Sequence, residues 1–312
     1  MTPILTICLN PAVDLSSEAE LVRPVRKIRT TNENYDPGGG GINVARTIMA
    51  LGGEAEALFL AGGTIGVLLD DLVDRSGVPH HRFPIKGSTR MAYTVHERKT
   101  GLEYRFVPTG PTVEAAELEP CLDFLRAYDG HYVVASGSLP SGAPDDILAK
   151  MADIAASKGV RFILDSSGAG LRTTLDRSRV YLVKPSRGEL EELVGHELDE
   201  QGIRAAALDL VKRGAAELVA VTMGAEGAFL ASADGAIRVP AIHVAVCSAV
   251  GAGDSFLGAM TLALTEGRSV EDALRFGIAA GAAAVMMPET TLCRRDDVLR
   301  LYGHLRDRPE AE

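Results

Sequence analysis

The segment Val250-Gly251-Ala252-Gly253-Asp254-Ser255 runs a turn of small residues straight into Phe256-Leu257-Gly258-Ala259-Met260. A helix this apolar on almost every side is buried, so its N-terminal amides point into the protein and need a partner. With no side chains at Gly251 and Gly253, a ligand can approach those N–H groups closely. The positive end of the helix dipole strengthens the resulting anion hole. Asp254 sits at that same end. Capping the helix is the ordinary work of an aspartate there, but capping alone does not call for two glycines. Asp254 is therefore read as a general base beside a place where negative charge develops.

A second cluster is Asp36-Pro37-Gly38-Gly39-Gly40-Gly41-Ile42-Asn43-Val44-Ala45. Four glycines before a helix expose backbone amides and remove side-chain bulk. Their cost in conformational entropy makes a mere linker the weaker reading. Asn43 falls in the first helical turn, aimed back toward whatever lies on the glycines. Asp14, just after the first apolar run, can accept hydrogen bonds from vicinal hydroxyls; alone it reads as a loop aspartate. Further polar or glycine-rich strings follow later apolar runs: Gly137-Ser138-Leu139-Pro140, Asp165-Ser166-Ser167-Gly168, Lys184-Pro185-Ser186-Arg187-Gly188-Glu189 and Thr222-Met223-Gly224-Ala225-Glu226-Gly227. Each alone is a turn; together, at the carboxyl ends of successive parallel strands, they outline one cleft. No G-x-x-x-x-G-K-[ST] string occurs, and Gly251-x-Gly253 is followed by Phe256 where a dinucleotide fingerprint has its third glycine. A P-loop NTPase and a nicotinamide dehydrogenase are both disfavoured.

The elements that hold these residues follow from the apolar pattern. Ile4–Leu9, Ala55–Leu60, Tyr132–Ala135, Phe162–Leu164, Val180–Val183 and Leu218–Val221 read as buried strands, with helical stretches such as Pro144–Ser157 and Arg204–Arg213 between them. Continuous apolar strands alternating with helices predict a doubly wound α/β fold with a mostly parallel sheet covered on both faces. From Val250 onward the pattern is helical. Two insertions break the rhythm. Leu15–Tyr35 is polar and rich in β-branched residues, and Met91–Val107 reads as a β-hairpin turning near Thr100-Gly101. They are expected to pair into a small β-sheet lid on a single domain spanning residues 1–312.

Composition bounds the partners. The 312 residues carry 32 Lys and Arg against 42 Asp and Glu, a net charge of −10. That balance argues against general nucleic-acid binding, which needs a basic stripe, but not against a small anionic ligand. No apolar run reaches the roughly 18 residues of a membrane span, and the N-terminus lacks a secretion signal. A cytoplasmic protein is expected. Cys8, Cys121, Cys247 and Cys293 lie far apart without a C-x-x-C pair and read as small core residues.

Gly38–Ala45 (GGGGINVA) and Val250–Ala259 (VGAGDSFLGA) together resemble the two motifs of the ribokinase-like, PfkB-type sugar kinases, and the order and spacing fit over essentially the whole chain. Within that family, Thr6-Ile7-Cys8-Leu9-Asn10-Pro11-Ala12-Val13-Asp14, the Gly-Ser-Leu-Pro turn, Asp165–Gly168 and Val183-Lys184-Pro185 look most like the minor-type 6-phosphofructokinases. 1-Phosphofructokinases and tagatose-6-phosphate kinases share the outline, often with lysine where this chain has Gly40. The resemblance implies a ribokinase-like fold and transfer of the γ-phosphoryl group of ATP to the 1-hydroxyl of fructose 6-phosphate, with Mg²⁺ and a monovalent cation such as K⁺.

Carried over by motif, Asp254 is the base, and Gly251, Ala252 and Gly253 give amides to the moving phosphoryl group. Asp14, Gly38, Gly39, Asn43 and Ser138 hold the sugar. Lys27 and Arg90, with Arg29 and Arg105, hold its phosphate, for which arginine is well suited; each lone cation otherwise reads as a solvated surface charge. Lys184, Ser186, Thr222, Gly224 and Gly227 meet the nucleotide, and Glu189 helps place Mg²⁺. The family has Asn where this chain has Ser186, whose shorter side chain makes fewer hydrogen bonds. The monovalent cation belongs between Ser248–Val250 and residues 284–291. The competing readings are another phosphosugar kinase, a nucleoside kinase on fold analogy, and a sugar-phosphate sensor without catalysis, which would have no use for Asp254. A homodimer joined through the lids is expected, because Tyr93, Val95, Tyr104 and Phe106 would otherwise expose an apolar patch.

Overall fold

Short apolar runs with no polar alternation cannot turn either face to water, so they belong inside a sheet covered on both sides. The computed structural model describes residues 3–287 and 292–306. In chain order its strands are β1 (Ile4–Cys8), β2 (Ala12–Ala19), β3 (Thr30–Gly38), β4 (Ala55–Ala61), β5 (His80–Pro84), β6 (Arg90–Glu97), β7 (Glu103–Phe106), β8 (Tyr132–Ser136), β9 (Arg161–Asp165), β10 (Val180–Val183), β11 (Ala216–Thr222), β12 (Ala228–Ser232) and β13 (Gly235–Val239). The helices are α1 (Gly40–Ala50), α2 (Gly63–Arg75), α3 (Ala115–Ala127), α4 (Ile147–Ser157), α5 (Gly168–Arg177), α6 (Arg187–Val194), α7 (Glu200–Lys212), α8 (Ala252–Thr265), α9 (Val270–Val285) and α10 (Arg295–Arg306).

Nine strands form the larger sheet in the order β13-β12-β11-β10-β9-β8-β1-β4-β5. All pairs are parallel except β11–β12 and β12–β13. One core lies on each face. Phe59, Ile42, Ile48, Leu257 and Met260 join α1, α2, α8, α9 and α10 to one side. Leu58, Leu60, Leu5, Met151 and Leu164 join α3 to α7 to the other. Successive residues of β4 thus feed opposite cores, and a side chain of this kind contributes about 1.5–3 kcal/mol when fully buried. The predicted doubly wound, mostly parallel sheet is present.

The smaller sheet runs β3-β2-β6-β7. Its central pair, β2–β6, is parallel, while β2–β3 and β6–β7 are antiparallel. The expected hairpin turn falls where Thr100-Gly101 predicts it. The first insertion differs from the sequence reading: β2 already starts at Ala12, and β3 continues through Pro37 and Gly38, opposite Val13 and Ala12. The glycine run is therefore a strand-to-helix junction. Its tightness is visible at Gly41, where a Cβ atom would lie 2.5 Å from the Ile7 carbonyl oxygen. The residues expected to form an exposed patch are divided. Val95 is only 5% exposed and belongs to the interior, Tyr93 and Tyr104 are half-buried, and Phe106 is 57% exposed; Tyr35, not among them, is also exposed.

Candidate active site

Helix α8 is buried along its length from Ser255 to Leu264, as its all-round apolarity requires. Gly251 precedes it in a left-handed conformation (φ 70°), which turns the chain so that Ala252, Gly253 and Asp254 form the first turn. Asp254 is not spent on capping. Its Oδ2 accepts the Asn43 Nδ2 of α1 at 2.9 Å. The two helices can meet there because Gly258 lies against α1: a Cβ at 258 would sit 2.9 Å from Thr47 Cβ and 3.0 Å from the Val44 carbonyl. Burial pushes the Asp254 carboxyl up to about 6, helped by the charge of Asp165 and opposed by the Asn43 hydrogen bond and by Lys184. A carboxyl poised there is ionised at neutral pH yet basic enough to take a proton.

The strand ends converge on the same place. Lys184 at the end of β10 and Asp165 at the end of β9 form a buried ion pair at 3.0 Å. Ser136 at the end of β8 donates to the other Asp165 oxygen at 3.0 Å. Burial alone would pull Lys184 down, but the Asp165 carboxylate outweighs it and keeps the ammonium protonated. The ammonium reaches toward Gly253, 3.7 Å from where a Cβ would stand. Ser186 bridges to Thr222, and with Glu189 it forms a reciprocal cap on α6. Glu189 Oε2 accepts from the Ser186 backbone N–H (2.7 Å) and hydroxyl (2.9 Å). Ser186 in place of the family's asparagine is thus committed to holding Glu189.

On the far side of Asp254 stands the face of the smaller sheet that carries Asp14. Gly38 lies against this carboxylate; a Cβ there would overlap it. Burial lifts the Asp14 carboxyl to about 6, with Arg105 opposing most strongly, Asp36 adding to the rise, and Arg90 and Arg46 opposing. Arg90, Arg105 and Asp14 are therefore gathered on one side of the cleft. Lys27 and Arg29 lie exposed on the loop between β2 and β3 and are not among the charges that act most on Asp14. Ser138 is brought in through Asn10, whose Nδ2 donates to its hydroxyl at 3.2 Å.

Beyond Gly253 opens an apolar cavity of about 430 Å³. Of the residues expected at the nucleotide, Thr222, Gly224 and Gly227 line it, together with Ile242, Val244 and Ile278, while Lys184 and Ser186 do not. The wall from Ala241 to Val246, apolar apart from His243, carries no motif that marks it in the sequence. Sequence reasoning passed over it, and also over Arg46, which donates to Asn43 Oδ1 at 3.3 Å and to the Pro37 carbonyl at 3.1 Å. The i, i+3 spacing of Asn43 and Arg46 on α1 was the available signal.

Two helix N-termini, a poised carboxylate between an apolar cavity and a cationic cleft, and a buried lysine suit transfer of an anionic group between two ligands. The pfkB family carbohydrate kinase model matches residues 5–297. The chain belongs to this family. It is 46% identical over 302 residues to the ATP-dependent 6-phosphofructokinase isozyme 2 of Mycobacterium tuberculosis, covering 96% of this chain and 88% of that one. The protein of the same name from Escherichia coli is 40% identical over 307 residues, 98% of this chain and 99% of that one. The crystal structure of phosphofructokinase-2 from Escherichia coli in complex with fructose-6-phosphate superposes with a TM-score of 0.92 at 38% identity, covering 98% and 100% of the two chains. The α/β fold with its smaller sheet is thus that of the ribokinase-like kinases, and this family member is an ATP-dependent sugar kinase.

The poised carboxyls set a pH dependence. A carboxyl raised to about 6 must be ionised to act as base, so kcat/KM of this kinase is expected to fall as pH drops through an apparent pKa near 6. Asn43→Ala removes a donor that favours the ionised form and should move this limb to higher pH. A pH–rate profile checks both; a limb at the ordinary carboxylate pKa of about 4, unmoved in Asn43→Ala, would contradict the assignment.

Proposed function

We propose that the chain is an ATP-dependent 6-phosphofructokinase that transfers the γ-phosphoryl group of ATP to the 1-hydroxyl of fructose 6-phosphate. One observation carries the reading. The half-buried Asp254 carboxylate lies between the cavity bordered by Gly253 and the cleft holding Asp14 and two arginines. The names of the relatives at 40% and 46% identity support the substrate.

In this reading ATP lies in the apolar cavity with its triphosphate directed to Gly253 and Lys184. Fructose 6-phosphate lies on the Asp14 side, its hydroxyls on Asp14, Gly38, Gly39, Asn43 and Ser138. Its phosphate sits against Arg90 and Arg105, with Lys27 and Arg29 supplying further positive charge from the loop between β2 and β3. Asp254 takes the proton of the 1-hydroxyl as the oxygen attacks phosphorus. The amides of Gly251, Ala252 and Gly253, at the positive end of α8, hold the negative charge that gathers on the transferring group. Lys184, kept protonated by Asp165, stays with the phosphates as a fixed charge.

Among the described residues no cluster of three or more His, Cys, Asp or Glu side chains forms a metal cage. Mg²⁺ arriving on the nucleotide would keep much of its water and take few protein ligands. Glu189, oriented by Ser186, is the carboxylate to hold it, and the ion would neutralise charge between the phosphates. For a monovalent cation the segment after β13 is tied to α9 by the Cys247 and Ser248 amides, both donating to the Val285 carbonyl. A bound K⁺ beside α8 would use backbone carbonyls near Ser248–Val250 and after Ala284; residues 288–291 of that expected site lie outside the described ones. A structure in complex with potassium exists for the Escherichia coli relative.

The exposed Tyr35 and Phe106 at the two edges of the smaller sheet support a homodimer paired through these sheets. No helix among the described residues is long and apolar enough to cross a membrane, and a cytoplasmic enzyme is part of the reading.

Asp254→Asn is expected to lower kcat by a factor of about 10² to 10⁴ or more while binding of both substrates survives. Retention of more than about a tenth of kcat would remove Asp254 as the base. Light scattering is expected to find twice the mass of one chain for the native protein and the single-chain mass for Tyr35→Asp/Phe106→Asp. A native monomer, or a dimer that survives both substitutions, would contradict pairing through the sheet edges.

A further inference from the structure

The string from Thr6 to Asp14 contains a buried amide, Asn10, that the mechanism does not use. Asn10 follows the end of β1 and is only 4% exposed. A buried amide in a strand-end turn must be satisfied or explained; the Asn10 Oδ1 has no hydrogen-bond partner among the described residues, so its nitrogen makes the contacts. The two hydrogens of its Nδ2 are shared among the Thr109 carbonyl at 3.1 Å, the Ser138 hydroxyl at 3.2 Å and the Leu139 carbonyl at 3.4 Å. Two of these acceptors are carbonyls, so the amide nitrogen must face them. Ser138, accepting from Asn10, keeps its own O–H to donate. Asn10 therefore stitches three separate pieces of chain: the end of β1, the turn after β8, and the segment that returns from β7 to the main body.

That return segment is where Arg90 is held. The Arg90 guanidinium donates from Nη2 to the Asn10 carbonyl at 2.7 Å and from Nη1 to the Pro108 carbonyl at 2.9 Å. Both carbonyls flank the stitch, one on Asn10 itself and the other next to Thr109. The Arg90 Nε is buried and has no hydrogen-bond partner among the described residues. The guanidinium is thus fixed by two protein carbonyls, with donor capacity left over, a state that a bound anion would complete. The fit is close on the other side as well: Asn10 Oδ1 occupies the place of a Cβ on Gly110, and Arg90 Cδ lies 3.3 Å from that place.

We propose that Asn10 is a positioning residue for the phosphate-bearing end of the acceptor, holding Arg90 and Ser138 in place by tying the Pro108–Gly110 segment to the end of β1. The proposal rests on the placement of the acceptor phosphate against Arg90 given above. Asn10 touches neither ATP nor the transferred group in this arrangement, so its loss should be felt by one substrate alone.

The test is a double-mutant cycle on the full chain, with KM for fructose 6-phosphate, KM for ATP and kcat followed by ADP release. Asn10→Ala is expected to raise KM for fructose 6-phosphate about tenfold or more, the scale of a lost charge-assisted hydrogen bond. KM for ATP should stay within about twofold, which a general loosening of the fold would not allow. Asn10→Ala/Arg90→Ala should be no worse than Arg90→Ala, because the first residue acts through the second. Gly110→Ala, which forces the return segment off Asn10 without altering Asn10, should reproduce the selective rise and serves if Asn10→Ala fails to fold. Equal rises in both KM values, effects that multiply in the double variant, or an Asn10→Ala enzyme with unchanged KM beside an impaired Arg90→Ala would each overturn the proposal. If Arg90→Ala itself leaves KM for fructose 6-phosphate unchanged, it is the placement of the acceptor phosphate that falls, and the role of Asn10 with it.

Discussion

A carboxylate that is to act as a base at neutral pH must be removed from water enough to hold a proton, yet kept ionised until it is used. Asp254 meets both demands through one contact: half-buried at the start of α8, it accepts a hydrogen bond from Asn43 at the start of α1. Burial raises its proton affinity, while the donor and the nearby lysine restrain the rise. Most of the local structure serves this contact. Two helix N-termini must converge on one point, so neither can carry bulk where they approach. Gly258 lets α8 rest on Val44 and Thr47, and Gly41 lets α1 rest on the end of β1.

The same constraint explains why the site lies where it does. Parallel strands end on one edge, and the helices that follow them start there, so amides and strand-end side chains face a common cleft. Ser136, Asp165 and Lys184 come from three adjacent strands and make one buried network. The smaller sheet closes the opposite side with Asp14 and its arginines. If the apolar cavity takes the nucleotide as proposed, that side needs little polarity of its own, since an apolar slot and a few glycines leave room for a flat ring system and a chain of phosphates. Charge is concentrated at the junction between the two halves, where it acts on the transferred group.

Much of this was legible in the residues. An all-round apolar helix preceded by Gly-Ala-Gly-Asp could only be buried, and its end could only be a place for an anion or a charged group. The continuous apolar strands declared a sheet covered on both faces. Other features left weaker traces. Strand β5, His-His-Arg-Phe-Pro, is an edge strand whose composition looks like a loop. The hairpin of β12 and β13 was marked by Asp234-Gly235 but passed unread beside the stronger βα rhythm. Asn10 was invisible as a positioning group because its partners lie 99 or more residues away and two of the three are main-chain carbonyls, which leave no mark on residue type, whereas Arg46 was marked only by its i, i+3 spacing from Asn43. Val95 was misplaced for a different reason: strand alternation tells which face a residue shares with its neighbours, but not how far the chain covers that face.

The central claim is that this geometry phosphorylates a sugar already carrying a phosphate, with fructose 6-phosphate as the acceptor. Its most direct test is ADP release from ATP measured across fructose, ribose, a nucleoside, fructose 1-phosphate, tagatose 6-phosphate and fructose 6-phosphate. The account predicts the highest kcat/KM for fructose 6-phosphate, with fructose itself slower by the loss of the cationic contacts. A preference for fructose, for a nucleoside or for fructose 1-phosphate would contradict it.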